Sequence, residues 1–151
     1  MPLASLIPPE AVIAELRATE RDAVHEEMVA HLIDKKLLPS DLRASVLANL
    51  REREQKMTTA IGQGIALPHA SVAGLPGVLA MAARSAAGIE CQALDNQPVY
   101  LFFMVLVPAD QYSVHLRTLA SVAKFLNTPG TREALRSAAS AAEIHQLFQK
   151  S

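Results

Sequence analysis

Nine successive residues, Val99 to Val107, read VYLFFMVLV and contain no charge, no glycine and no proline. A strand with one face in water alternates apolar and polar positions, and this run does not. It fits a central strand covered on both faces, so the chain must supply a layer of structure on each side of a sheet. The run is far shorter than the about 20 residues that a membrane-spanning helix needs.

Around that strand the sequence supplies the rest. GIALPH (residues 64–69) and VLAMAARSA (residues 78–86) are short apolar runs bounded by Gly, Pro and Asp, and read as further strands. Upstream, prolines in LIPPEAVIAEL precede a predicted short helix, where a missing N–H costs nothing. From about Thr19 to Leu37, Ala23, Val24, Met28, Val29, Leu32 and Ile33 recur at helical spacing. Pro39 stops that helix, Ser40 or Asp41 is expected to cap the next, and Leu42, Val46, Leu47 and Leu50 form its buried stripe. Downstream, DQYSVHLRTLASVAKFLN is predicted helical, with Leu116, Leu119, Ala123 and Leu126 facing the core. TREALRSA and SAAEIHQLF finish the chain as helices, the second with a Ser140 cap and Glu143 at capping-box spacing. Helices, then strands, then helices predict an α/β sandwich around a mixed central sheet, with residues 1–151 as a single domain.

Composition narrows the function classes. Of 151 residues half are apolar, enough for a core without disulfides or a metal, and with aromatics at 4% that core must be aliphatic. The net charge is −1 and no basic stretch stands out, so a nucleic-acid partner is not expected. A lone cysteine, Cys91, allows no internal disulfide, and no CxxC accompanies it; a small buried side chain is its expected role. The opening MPLASLIPPE lacks a signal-peptide pattern, so a cytoplasmic protein without membrane insertion is expected.

Five histidines remain to be placed. His25, His31 and His145 lie on predicted helices and read as solvated faces; their spacing makes no zinc motif, and no metal or cofactor is expected. His69 differs because Pro68 precedes it. Proline biases Leu67 to extended geometry and offers no donor, so the strand should end there, with His69 rigidly based at the start of a loop. A strand-end histidine that merely bonds to a loop fits the same segment. His115 lies near the first turn of its helix, where free N–H groups welcome an anion. Arg53, sixteen residues before His69, falls at a predicted helix end and carries a fork of donors suited to phosphate; it could equally be an exposed charge paired with Glu54.

REREQ, TTAIGQGIALPHA, ALDNQPVYLFFMVLVPAD and HLRTLASVAKFL together resemble the enzyme IIA domains of the bacterial phosphotransferase system, in the fructose/mannitol type that includes the nitrogen-regulatory enzyme IIA. The resemblance spans nearly the whole chain and implies that family's α/β fold. It implies that His69 of the Pro-His motif is a phosphoryl acceptor at Nε2, and that His115 and Arg53 stabilise the phosphoryl group. The donor it implies is HPr or its nitrogen-branch counterpart. Where many members carry glycine after the histidine this chain has Ala70, which would strain the loop if φ were positive there.

Two functions follow from the resemblance. One is a regulatory phosphocarrier of the nitrogen type, acting on a downstream target; the other is a sugar-transport enzyme IIA passing its phosphate to a separate IIB. LIPPEAVIAEL resembles the nitrogen-type start and no IIB, IIC or HPr segment follows by Ser151, which favours regulation. A non-catalytic interaction module is the third reading. The site is expected to be a shallow apolar dish, with Gly62 and Gly64 allowing close approach of a partner. Apolar stretches at Leu75 and Tyr112 are either interface or simply exposed.

Overall fold

A computed structural model describes residues 3–149, apart from the side chains of Tyr112 and Val114. The elements run β1 (Val12–Ile13), α1 (Arg21–Asp34), α2 (Arg43–Lys56), β2 (Ala60–Gly62), β3 (Ile65–Ala66), β4 (His69–Val72), β5 (Leu79–Ile89), β6 (Val99–Pro108), α3 (Tyr112–Leu126), α4 (Thr131–Ser137) and α5 (Ala141–Phe148). The expected mixed sheet is present, in the order β1-β5-β6-β3-β2, with β4 also paired to β6. β5 runs antiparallel to β6, while β3 and β4 both run parallel to it.

The apolar run is the centre of this sheet. Within β6 Phe102, Met104, Val105, Leu106 and Val107 have no exposure at all. Phe103 meets Phe148 of α5 edge-on, and Phe125 of α3 meets the same ring, so aromatics join helix and sheet on that face. Phe102, Met104 and Leu106 project to the opposite face and are as deeply buried. α3 packs against β6, α2 against β4, and α1 against both α2 and β5.

Several local expectations are corrected. The stretch after the first prolines is a single 3-10 turn, Pro9–Ala11, followed by β1, a strand that pairs with β5. Neither Ser40 nor Asp41 caps α2. A 3-10 turn, Ser40–Leu42, runs straight into it, and the Arg43 N–H reaches back to the Ser40 carbonyl. The buried stripe of α3 is His115, Thr118, Val122, Phe125 and Leu126, whereas Leu116 is 51% exposed and Leu119 and Ala123 only half-buried. His25 and His145 are buried rather than solvated. His25 is buried on the inner face of α1, and His145 Nε2–H donates to the Ile7 carbonyl at 2.9 Å. His31, half-buried, donates from Nε2 to the Glu10 carbonyl at 2.6 Å. Leu75 is buried, and the side chain of Tyr112 lies outside the described residues.

The expected cap of α5 and the expected burial of the cysteine hold. Ser140 accepts the Glu143 N–H at the head of α5, and the Glu143 carboxylate returns to the Ala139 N–H. Cys91 is buried, and burial pushes its thiol up to about 12, which keeps it protonated and inert. No helix among the described residues is long and apolar enough to cross a membrane.

Candidate active site

Pro68 divides what would otherwise be one strand. Ile65 and Ala66 pair with Leu101 and Phe102 of β6; then the ladder lapses at Leu67 and resumes with His69 opposite Val105. The expectation that His69 opens a loop is therefore corrected: it is the first residue of β4 and sits in register with the central strand. The Pro68 carbonyl still accepts the Val105 N–H, so the interruption costs the sheet little. Ala70 pairs opposite Leu106 as an ordinary strand residue and does not have a positive φ, so no strain arises from replacing glycine.

The hairpin ahead of it explains the glycines. Gly62 and Gly64 have φ of 104° and 79°, with Gln63 at 58° between them. Such a turn demands residues tolerant of the left-handed region. Asp95 holds it by accepting the Gln63 N–H at 2.9 Å. The glycines thus serve the turn itself.

Three residues far apart in sequence converge here. Arg53, in the last turn of α2, donates Nε–H to His69 Nε2 at 3.1 Å and Nη1–H to the Met57 carbonyl at 2.8 Å. The other ring nitrogen of His69, Nδ1, lies 2.8 Å from the Leu67 carbonyl oxygen. A carbonyl has no proton to give and a guanidinium nitrogen has no lone pair to offer. Both contacts therefore require the same tautomer, with hydrogen on Nδ1 and an open lone pair on Nε2. His115, in the first turns of α3, packs edge-on against His69, with ring centroids 4.9 Å apart and planes at 85°. All three sequence-predicted site residues line one open depression of 550 Å³.

That depression is only partly the expected apolar dish. Leu116 and Leu119 form one wall, but Asn49, Glu52 and Lys56 of α2 make the other polar. Burial pushes the His69 imidazole below its ordinary 6.5, and the nearby Arg53 cation lowers it further, against the Leu67 hydrogen bond and the Glu54 charge, which raise it. His115 is lowered too, by burial first and then by His69 and Arg53. Both shifts favour the neutral ring, and the Nε2 lone pair of a neutral His69 becomes a nucleophile once Arg53 releases it.

Four contributors were missed from sequence. The carbonyls of Leu67 and Met57 are backbone groups that every residue carries, so no residue type announces them. Glu54 and Thr59, which anchor this corner of the hairpin, could have been suspected only from the Arg-Glu pair. Among the described residues no cluster of three or more His, Cys, Asp or Glu could hold a metal ion.

The chain is similar to known proteins along its length. It is 30% identical over 148 residues to a protein from Bradyrhizobium diazoefficiens described as a nitrogen regulatory protein, covering 98% of this chain and 95% of that one. It is 37% identical over 108 residues to the fructose-specific EIIA component of the Haloferax volcanii phosphotransferase system, covering 72% of this chain and 70% of that one. The crystal structure of nitrogen regulatory protein IIA-Ntr from Neisseria meningitidis superposes with a TM-score of 0.86 at 27% identity, covering 97% of this chain and 98% of that one. The family model for "Phosphoenolpyruvate-dependent sugar phosphotransferase system, EIIA 2" matches residues 5–151, and the chain belongs to that family of phosphoryl-transfer components.

Proposed function

We propose that the protein is a phosphocarrier that takes a phosphoryl group onto His69 Nε2 from a histidine-phosphorylated HPr-like protein, as a regulatory enzyme IIA of the nitrogen type. The observation that carries this reading is the tautomer: Nδ1–H on the Leu67 carbonyl, and Nε2 left with its lone pair beside Arg53.

In the transfer, the Nε2 lone pair forms a bond to phosphorus. The bond between phosphorus and the donor histidine breaks, and its electron pair returns to the donor's ring nitrogen. The lone pair cannot serve Arg53 and phosphorus together, so Arg53 passes its N–H to a phosphoryl oxygen as the new bond forms. The phosphorylated ring gains positive character, which strengthens the Nδ1–H bond to the Leu67 carbonyl. Donor and acceptor are both imidazoles, so the protein supplies positioning and charge stabilisation and the step is reversible in principle. His115 lines the same depression and completes the cluster around the phosphoryl oxygens.

The test is incubation with phosphoenolpyruvate, enzyme I and HPr or its nitrogen-branch counterpart, followed by intact-mass measurement. Wild type is expected to gain one phosphate, stable to alkali and labile to acid, and His69→Ala to gain none. A phosphate retained by His69→Ala would move the acceptor elsewhere, with His115 next in line. No phosphate on wild type from either carrier would favour an interaction module.

Identity to a fructose-specific EIIA component supports a second reading, in which the phosphate passes to a separate IIB protein. Transfer from the phosphorylated chain to purified IIB would separate the two. So would gene context, with a sugar permease on one side and a nitrogen sigma factor on the other. In either case a cytoplasmic location is proposed.

A further inference from the structure

We propose that Glu54 is a positioning residue for His69: through Thr59 and Leu67 its carboxylate fixes the carbonyl that selects the tautomer of the reacting ring. The proposal rests on the reading of His69 as phosphoryl acceptor.

Glu54 and Arg53 are adjacent in sequence and carry opposite charge, yet neighbours on a helix do not face each other. Arg53 turns to the open depression. Glu54 turns inward, is 6% exposed, and gives both carboxylate oxygens to one residue. Oε2 accepts the Thr59 N–H at 2.8 Å and Oε1 accepts the Thr59 hydroxyl at 2.6 Å. The Thr59 carbonyl then accepts the Leu67 N–H at 3.0 Å, and the Leu67 carbonyl accepts the His69 Nδ1–H at 2.8 Å. Four residues thus lead by short hydrogen bonds from a buried carboxylate to the imidazole.

The position of the last link gives the chain its importance. Leu67 lies where the ladder to β6 lapses, between Ala66 and His69. Its carbonyl is therefore not committed to the central strand, and Pro68 cannot donate to steady it. The bond from Leu67 N–H to the Thr59 carbonyl holds the peptide just before that carbonyl, and through the Leu67 Cα it restrains where the carbonyl points. Thr59 in turn sits outside β2, and Glu54 holds its N–H and hydroxyl together. A buried carboxylate is costly to desolvate and is an expensive way merely to start a strand, where a hydroxyl or amide would suffice. It does provide two strong, directional acceptors on a rigid helix. A histidine whose acceptor drifts keeps only the Arg53 N–H to hold its tautomer, and that contact must break when phosphorus arrives, so the lone pair aimed at phosphorus is no longer fixed.

The test uses the full chain with Glu54→Gln, Thr59→Val and Thr59→Ser. The readouts are the ring ¹⁵N shifts of His69 without any phosphoryl donor, and single-turnover phosphate uptake from the phosphorylated carrier. Glu54→Gln and Thr59→Val are expected to convert the single Nδ1–H tautomer into a mixture and to slow uptake about tenfold or more at saturating carrier. Thr59→Ser, which keeps the hydroxyl, should resemble wild type in both. Unchanged ¹⁵N shifts in a folded Glu54→Gln protein would overturn the proposal, even if its melting temperature fell. If Glu54→Gln does not fold, the Thr59 pair decides by the same criteria. The tautomer is read without phosphorylation, so loss of this proposal is distinct from loss of the reading of His69, which fails only if wild type takes no phosphate there.

Discussion

Nε2 of His69 is the atom on which everything else in the depression converges, and its present partner is a guanidinium that must move aside for phosphorus. Arg53 can do so without leaving the site, because Nη1 is anchored on the Met57 carbonyl while further N–H groups remain for oxygen. Lysine would keep the charge but lose the fork. Arg53→Lys is therefore expected to lower the rate of phosphate uptake by about a hundredfold, as loss of a preorganised donor does, while the mass gained at completion stays one phosphate. Stopped-time intact-mass measurement checks both. At this scale the sequence was most informative where a motif named side chains: Pro-His, the second histidine and the arginine all reached one depression. It was blind to the Leu67 carbonyl, and it misread His25 and His145. Whether a helical histidine is wet or buried depends on what packs over it, and for His145 that is a residue 138 positions away.

Helix α3 carries the same lesson at the scale of elements. Its apolar residues admit two stripes one position apart, and periodicity alone preferred Leu116. The structure turns the helix so that His115 and Thr118 go inward and Leu116 outward. The inward histidine is what brings its ring against His69. The phase makes a clear prediction for stability. Leu116→Gln is expected to change unfolding free energy by less than about 0.5 kcal/mol. Leu126→Ala, from the buried stripe, should cost about 2–5 kcal/mol. Urea unfolding of both variants checks the pair, and equal losses would put the helix in the other phase. Strand β6 was read correctly because an unbroken apolar run has few alternatives. β1 and β2 were not found, since two or three residues carry no periodicity of their own and exist only through partners supplied by the rest of the chain.

For the whole molecule, the three histidines held below 6.5 set how stability responds to acid. Burial lowers His25, His69 and His115, against Glu54 and Asp22, whose charges raise His25. In the unfolded chain each protonates near 6.5, so between that value and its folded value the unfolded state holds more protons. Stability contributed by the neutral folded rings is thus complete above 6.5, and is lost as pH falls below it. His25 is the most enclosed, and its Nε2 has no partner among the described residues. It can impose a slope of up to about 1.4 kcal/mol per pH unit. The urea midpoint is expected to fall between pH 7.5 and pH 5.5, and His25→Leu should flatten that fall while leaving His69 able to accept phosphate. A midpoint with no pH dependence across this range would show that burial does not hold these rings neutral.

The bond from His145 to the Ile7 carbonyl has a consequence in time as well as in space. A ribosome delivers Ile7 138 residues before His145. Over that interval the turns around Ile7 wait for the helix that will cover them, and β1 must wait for β5. The sheet strands that carry His69 and β6 emerge between the two. The order of translation therefore lets the reacting corner of the molecule assemble before the seam that closes the fold.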